Sequence, residues 1–252
     1  MDLQIILNTY AKDIFLRQAD CDYISARTNY RMQLRQQFLW SAQQAVEKYL
    51  KSILLFNGLS AKAPTHDPKK IYHHNLDLLY SEVLKIQIVN LELKDDDIKF
   101  LSYLSKLGGS NRYLNESSYS TRDAIHKLDR LVWHIRRYCQ HFPETIYPQK
   151  EKIAGLQDRY LNLVRNPEYT KLPHKFKLMN GELEKVISRP SNDPARNSLI
   201  WANLWFGKKK RDLVVYNSFS SDETPPHERS WWKEDYLQEV SRYIQFNKKP
   251  IN

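Results

Sequence analysis

Glycine is scarce in this chain, with six residues in 252, about a third of the usual ~7 % share. Neither Gly-x-Gly-x-x-Gly nor Gly-x-x-x-x-Gly-Lys occurs. That excludes the Rossmann and P-loop phosphate cradles, which need glycine where backbone N–H groups close on phosphate. So few glycines also argue against a barrel or sandwich with many tight turns. Cysteine is rarer still: Cys21 and Cys139 stand alone, with no Cys-x-x-Cys spacing, and a reducing cytoplasm is the expected location. No apolar run approaches the ~20 residues of a membrane-spanning helix. The opening Met1-Asp2-Leu3 has no basic stretch, so no secretory leader is expected.

What the chain does have is positive charge. Thirty-nine Lys and Arg against twenty-nine Asp and Glu leave a net +10 and a pI near 9.4. The apolar share of 41 % is enough for a core, and a mean hydropathy of −0.67 fits a soluble protein. Apolar residues recur at helical spacing. Two stretches lie within residues 3–30, Ile6, Tyr10 and Ile14 and then Ala19, Tyr23, Ala26 and Tyr30. Leu34, Phe38, Ala42, Ala45, Tyr49, Ile53 and Phe56 predict a helix over 33–57 that stops at Gly58. Glu47 precedes Lys51 by four, the favourable order for an ion pair. Residues 59–73, with Pro64 and Pro68, read as a loop.

A short helix is expected near His74, carrying Leu76, Leu79, Val83 and Ile86. Another opens after Asp95-Asp96-Asp97 and ends at Gly108-Gly109, and a long one runs from about Ser117 to His141, stopped by Pro143. The three acids are simplest as helix-start partners of the dipole rather than a metal site. His66, His73 and His74 with Asp67 lack zinc spacing, so neither metal nor cofactor is expected.

Pro143 and Pro148 mark a boundary, giving residues 1–145 as a helical bundle and 146–252 as a small, basic α+β module. The first part carries +4 and the smaller second part +6. In the second, Asp193-Pro194 should open a helix closing at Gly207, Leu213 to Tyr216 reads as a strand, and Ser230 can cap a last helix. The sharpest charge run, Lys208-Lys209-Lys210-Arg211, follows Trp201, Trp205 and Phe206. Cations beside aromatics can track a nucleic-acid backbone and stack bases. The competing reading is a solvated helix end, with the tryptophans forming a small core.

The helix Gln43-Gln44-Ala45-Val46-Glu47-Lys48-Tyr49-Leu50-Lys51, followed by His74-Asn75-Leu76, resembles the HEPN family of helical domains. Ala19-Asp20-Cys21-Asp22-Tyr23 upstream and Asn111-Arg112-Tyr113 downstream extend the resemblance over about residues 1–145. It implies an antiparallel bundle of four or five helices that commonly dimerises through the face carrying the late arginine. It also implies, for many members, a metal-independent endoribonuclease using Arg-x4–6-His, extended to Arg-x4-His-x-Tyr in toxins. Aligned on that motif, Arg112 is the arginine, Ser117 stands at the histidine position and Tyr119 at the tyrosine.

The serine matters chemically. Cleavage by the 2′-hydroxyl needs a group that exchanges a proton near neutral pH, which histidine does and an unassisted serine does not. Arg112 could still hold a phosphate through paired N–H donors, and Tyr119 could stack on a base. His126, near Arg122, is the candidate to replace the missing histidine, against a simpler role at the edge of the core. Arg136-x4-His141 has the spacing too, but reads as two cations near a helix C-terminus.

Three functions therefore stand at the level of sequence. The first is a homodimeric protein that binds RNA or nucleotides through Arg112, Ser117 and Tyr119 with Lys208, Lys209, Lys210 and Arg211. The second is an active ribonuclease using Arg112 and His126, and the third a non-enzymatic dimerisation scaffold. The family adds a prokaryotic toxin–antitoxin setting, with a nucleotidyltransferase antitoxin as partner, and no membrane is expected.

Overall fold

A computed structural model describes residues 3–64, 67, 71–86, 89–110, 123–140 and 181–206. Its first element is one helical rod made of α1 (Leu3–Tyr10), a π-helical stretch (Ala11–Leu16) and α2 (Arg17–Arg31). The wider π turn advances fewer degrees per residue and so rotates the face that meets the core. Along α1 and into the π stretch the expected first stripe faces out: Tyr10 and Ile14 are each 52 % exposed and α1 buries nothing. Leu16, the last residue of the π stretch, is buried, and after it Ala19, Tyr23, Ala26 and Tyr30 are buried as the spacing predicts.

The turn into α3 (Arg35–Phe56) passes through Gln33 at φ 62°, and α3 lies antiparallel along the rod. Tyr49 bonds Asp20, and Asn29 bonds Ser41. Leu34 stays exposed at the helix entry, while the rest of the predicted α3 stripe is buried. Gly58, at φ +72°, ends the helix. Its N–H reaches the carbonyl of Leu55, and that of Leu59 reaches Leu54. This satisfies two terminal carbonyls in a left-handed turn that favours glycine.

Helix α4 (Leu76–Leu84) is capped by Asn75, whose side chain accepts from Leu78 N–H at 2.9 Å. Helix α5 (Asp95–Ser110) runs through Gly108-Gly109 instead of stopping there. Its first-turn acids include Asp97, which does more than cap: it is fully buried and accepts from Arg130 Nε at 2.6 Å. Helix α6 (Ala124–Arg136) ends one turn earlier than the sequence predicts, and the expected start near Ser117 lies outside the described residues. Asp129 of α6 meets Tyr23, and Arg136 meets Asp20, so α6 is antiparallel to α2. Arg130 on Asp97, with the Tyr138 hydroxyl on the Asn90 carbonyl (2.7 Å), sets α5 antiparallel to α6 in turn. Helix α5 therefore closes, and α6 opens, at the end of the bundle where α2 turns into α3.

Two further helices, α7 (Glu182–Ser188) and α8 (Pro194–Ile200), pack across α2. Asp193 caps α8 as expected, accepting from Arg196 N–H at 2.8 Å, but the helix stops at Ile200 rather than Gly207. Helix α7 was not foreseen. Leu183, Val186, Leu199 and Phe206 join the same core cluster as the bundle. Phe206 packs edge-on against Tyr23 and Trp133, so these aromatics complete the bundle's core. The described residues are mainly helical and include no strand; the strand expected at 213–216 lies outside them.

Candidate functional site

The segment that carries Arg112, Ser117 and Tyr119 joins the C-terminus of α5 to the N-terminus of α6, and these three residues lie outside the described ones, as do Lys208, Lys209, Lys210 and Arg211. What the structure does show is the scaffold flanking that segment. His126 sits in the first turn of α6 with its side chain only 8 % exposed. Asp129, one turn further on, accepts from the Tyr23 hydroxyl at 2.6 Å and from Arg27. Arg27 is wholly buried and also donates to the carbonyls of Ser198 (2.9 Å) and Trp201. Asn203 donates to Tyr23 Oη at 3.0 Å. Burial pushes the Asp129 carboxyl above its usual range, although Arg27 pulls the other way.

A second buried network closes the same face. Asp20 accepts from Tyr49 (2.7 Å) and from Arg136 through Nε (2.8 Å) and Nη2 (2.9 Å). It also accepts from the N–H groups of Glu182 (3.0 Å) and Leu183 (3.2 Å), so a side chain from α2 caps the N-terminus of α7. Arg136 holds Glu184 through two parallel bonds of 2.8 Å, the geometry that makes guanidinium–carboxylate pairs strong. Burial opposes the Arg136 charge, but Asp20 and Glu184 outweigh it and hold the guanidinium well above its ordinary range. The sequence reading of Arg136 as a cation serving a helix dipole is therefore corrected. Its charge is spent inside the protein, and both it and Arg27 are committed to protein partners.

The third cluster lies on α3. Glu47, 6 % exposed, accepts from Lys51 at 2.6 Å, the predicted pair, and from Gln43 at 2.8 Å. It also faces His74 Nδ1 at 3.0 Å. Burial works against the Glu47 carboxylate, yet these bonds hold it below the usual range. An ionised carboxylate only accepts, so Nδ1 of His74 carries the proton. Gln43 also reaches the His74 carbonyl at 3.3 Å. The motif Gln-Gln-Ala-Val-Glu-Lys thus pins the loop entering α4 to α3.

These observations put the quoted helix and its histidine on one antiparallel bundle. The HEPN domain family model matches residues 13–142. The chain belongs to the HEPN domain family. No curated protein and no solved structure matches it.

Within this HEPN chain the family helix is α3, whose Glu47 serves the fold. Sequence reasoning missed the two arginine networks that lock α7 and α8 onto the bundle. One signal was available: Asp20 and Arg27 fall on the buried stripe of Ala19, Tyr23, Ala26 and Tyr30, and a charge on a core face needs a partner. The charged partners of Asp20 and Arg27 lie more than 100 residues away, which periodicity does not reach. Among the described residues no group of three or more His, Cys, Asp and Glu is placed to hold a metal ion, and no helix is long and apolar enough to cross a membrane.

Proposed function

We propose that this HEPN protein binds RNA or a nucleotide through Arg112 and Tyr119 without cleaving it. The observation that carries the reading is Ser117, where the family's ribonuclease motif has histidine, between an arginine and a tyrosine that are kept. The buried setting of His126 supports it, since a side chain packed on the inner face of α6 is poorly placed to exchange protons with a ribose hydroxyl. His134 is held down at about 4 by burial and by the charges of Arg137, Arg130 and Lys94, so it is a weak base at neutral pH.

In this reading residues 1–145 provide the phosphate-holding arginine and the dimer face, while residues 146–252 add Lys208 to Arg211 along the strand. A defence role, with a nucleotidyltransferase antitoxin as partner, is what membership in the family suggests. The test is incubation with RNA in EDTA, together with binding measured against salt, for the natural chain and for Arg112→Ala. Binding without cleavage that Arg112→Ala weakens is the expected result. Cleavage lost in Arg112→Ala would make the protein a metal-independent ribonuclease, and absence of any binding at low salt would make it a dimerisation scaffold.

A further inference from the structure

The outward stripe on the first rod is apolar where water should favour polar groups. Leu3, Ile6, Tyr10 and Ile14 follow one another at intervals of three and four, so helix geometry sets them along one face. They are 68 %, 36 %, 52 % and 52 % exposed. A different side of the rod holds it to the bundle. Gln4 Nε2 donates to the carbonyls of Leu55 (3.2 Å) and Phe56 (3.3 Å), Leu7 packs against the core, and Ala11 is buried. The stripe is therefore not what anchors α1. Scattered exposed apolar groups need no explanation, but a contiguous row of them marks a surface that meets something.

Charge limits what that can be. From Leu3 to Ile14 the chain has one cation, Lys12, with Asp13 beside it, and Asp2 precedes the helix. Nucleic acid requires cations along its backbone, and a helix lying on an anionic lipid surface requires Lys or Arg along its polar face. Neither pattern is present in this segment. A second apolar, uncharged helix face suits it better, and the stripe itself supplies one.

Two rods packed antiparallel across a two-fold axis near Asn8 set Leu3 against the partner's Ile14 and Ile6 against the partner's Tyr10. Spacing by three and four lets such side chains interlock. The antiparallel direction also keeps Asp13 about 14 Å along the axis from the partner's Asp13, by helical rise, whereas a parallel one brings the two acids together. Area sets the strength. The four groups expose the equivalent of about two large side chains, ~400 Å² per copy. An apolar contact of ~800 Å² in total belongs to weak, reversible association, not to an obligate dimer.

We propose that the α1 stripe is an isologous contact through which two copies of this chain pair reversibly. Gln4 sets the start of α1 at the C-terminal end of α3, and α6 opens at the other end of the bundle, where α2 turns into α3. The contact is therefore separate from the end where α6 opens, and it does not depend on the RNA-binding reading.

Sedimentation velocity of the full chain, from about 1 µM to 1 mM, reads the association. The natural chain should gain mass with concentration, with a dissociation constant on the order of 10–500 µM. Ile6→Glu/Tyr10→Glu sets acids against acids across the axis and should weaken association about tenfold or more. Ile6→Lys/Tyr10→Lys should do the same, yet an equimolar mixture of the two variants should associate again, because each Glu then faces a Lys. Leu84→Glu/Ile98→Glu makes the same change at two other exposed apolar positions and should stay within about twofold of the natural chain. Circular dichroism should show every variant folded.

If another face also pairs, the natural chain passes beyond a dimer while the Glu pair stops at one, which supports the contact as well. A natural chain that stays monomeric throughout refutes it. Equal association by the natural chain and the Glu pair would place the contact on another face, and the proposal fails. A monomeric natural chain whose melting temperature falls in the Glu pair would show that the stripe is covered within the chain instead. Binding to vesicles of anionic lipid that the Glu pair loses, without self-association, would assign the stripe to a lipid surface and overturn the proposal.

Discussion

Arg136 gathers more of the buried charge than any other cation described here, and Gly181 is the residue that makes room for it. A methyl group at Gly181 would collide with Arg136 Nη2 and stand 3.1 Å from both Asp20 Oδ2 and Glu184 Oε2. Gly181 is extended rather than left-handed (φ −89°), so space, not backbone freedom, selects glycine. Gly181→Ala should lower stability by about 1–3 kcal/mol as the buried guanidinium loses its geometry. Urea unfolding measures this, and an unchanged midpoint would show that the pocket yields.

His134 gives the residue-scale pH dependence. Arg137 Nη2 lies 3.1 Å from its Nδ1, and burial, then Arg137, Arg130 and Lys94, hold its pKa at about 4. A histidine neutral in the folded state contributes stability above the unfolded value of about 6.5. That contribution is lost as pH falls from about 6.5 toward 4, because the unfolded chain binds the proton first. His134→Phe keeps a ring against Trp205 and should flatten the fall in melting temperature over that window. An identical acid slope in both chains would contradict the assignment.

At the scale of elements, sequence periodicity located most helices, and its failures have physical causes. The stripe of Ile6, Tyr10 and Ile14 repeats at helical spacing, as does that of Ala19, Tyr23, Ala26 and Tyr30, yet only the second is inside. Periodicity reports that a face exists, and the π turn decides which way it points. Ile14→Lys should therefore change stability by no more than about 0.5 kcal/mol, whereas Leu16→Ala, two residues on and buried, should cost about 2–5 kcal/mol. Similar losses in both, read by urea unfolding, would place Ile14 in the core.

Helix α5 runs through two glycines because its neighbours hold it: Leu101, Leu104 and Leu107 are fully buried, and packing of that face outweighs the ~1 kcal/mol propensity cost of each glycine. Helix α7 escaped notice because it is seven residues long and its cap comes from Asp20, 162 positions away. Asp193 before Pro194, by contrast, is a local signal and was legible.

For the whole molecule, the described residues beyond the family match are a structural part of the bundle. Residues 181–206 supply Leu183, Leu199 and Phe206 to its core and partners to Arg27 and Arg136. A chain ending at residue 145 would leave Asp20 without two backbone donors, and Arg136 without Glu184. Breaking one side of a buried ion pair costs about 3–5 kcal/mol, so its melting temperature should fall by about 10 °C or more. Melting at the full-length temperature would show that the bundle does not depend on the clamp.

By itself the sequence determined the helical class, the family, the α3 stripe, the Glu47–Lys51 pair and the Asp193 cap. Each is written in residues three to seven positions apart or in a contiguous motif, and helix geometry turns such spacing directly into contact. Only the tertiary structure decided that Arg27 and Arg136 are buried and committed, that α7 and α8 complete the bundle, and that the outward stripe on α1 lies outside the core. The last of these follows from the π turn, and the first two depend on groups more than 100 residues apart meeting where water is excluded. There an unpaired charge is costly and a paired one holds distant segments together.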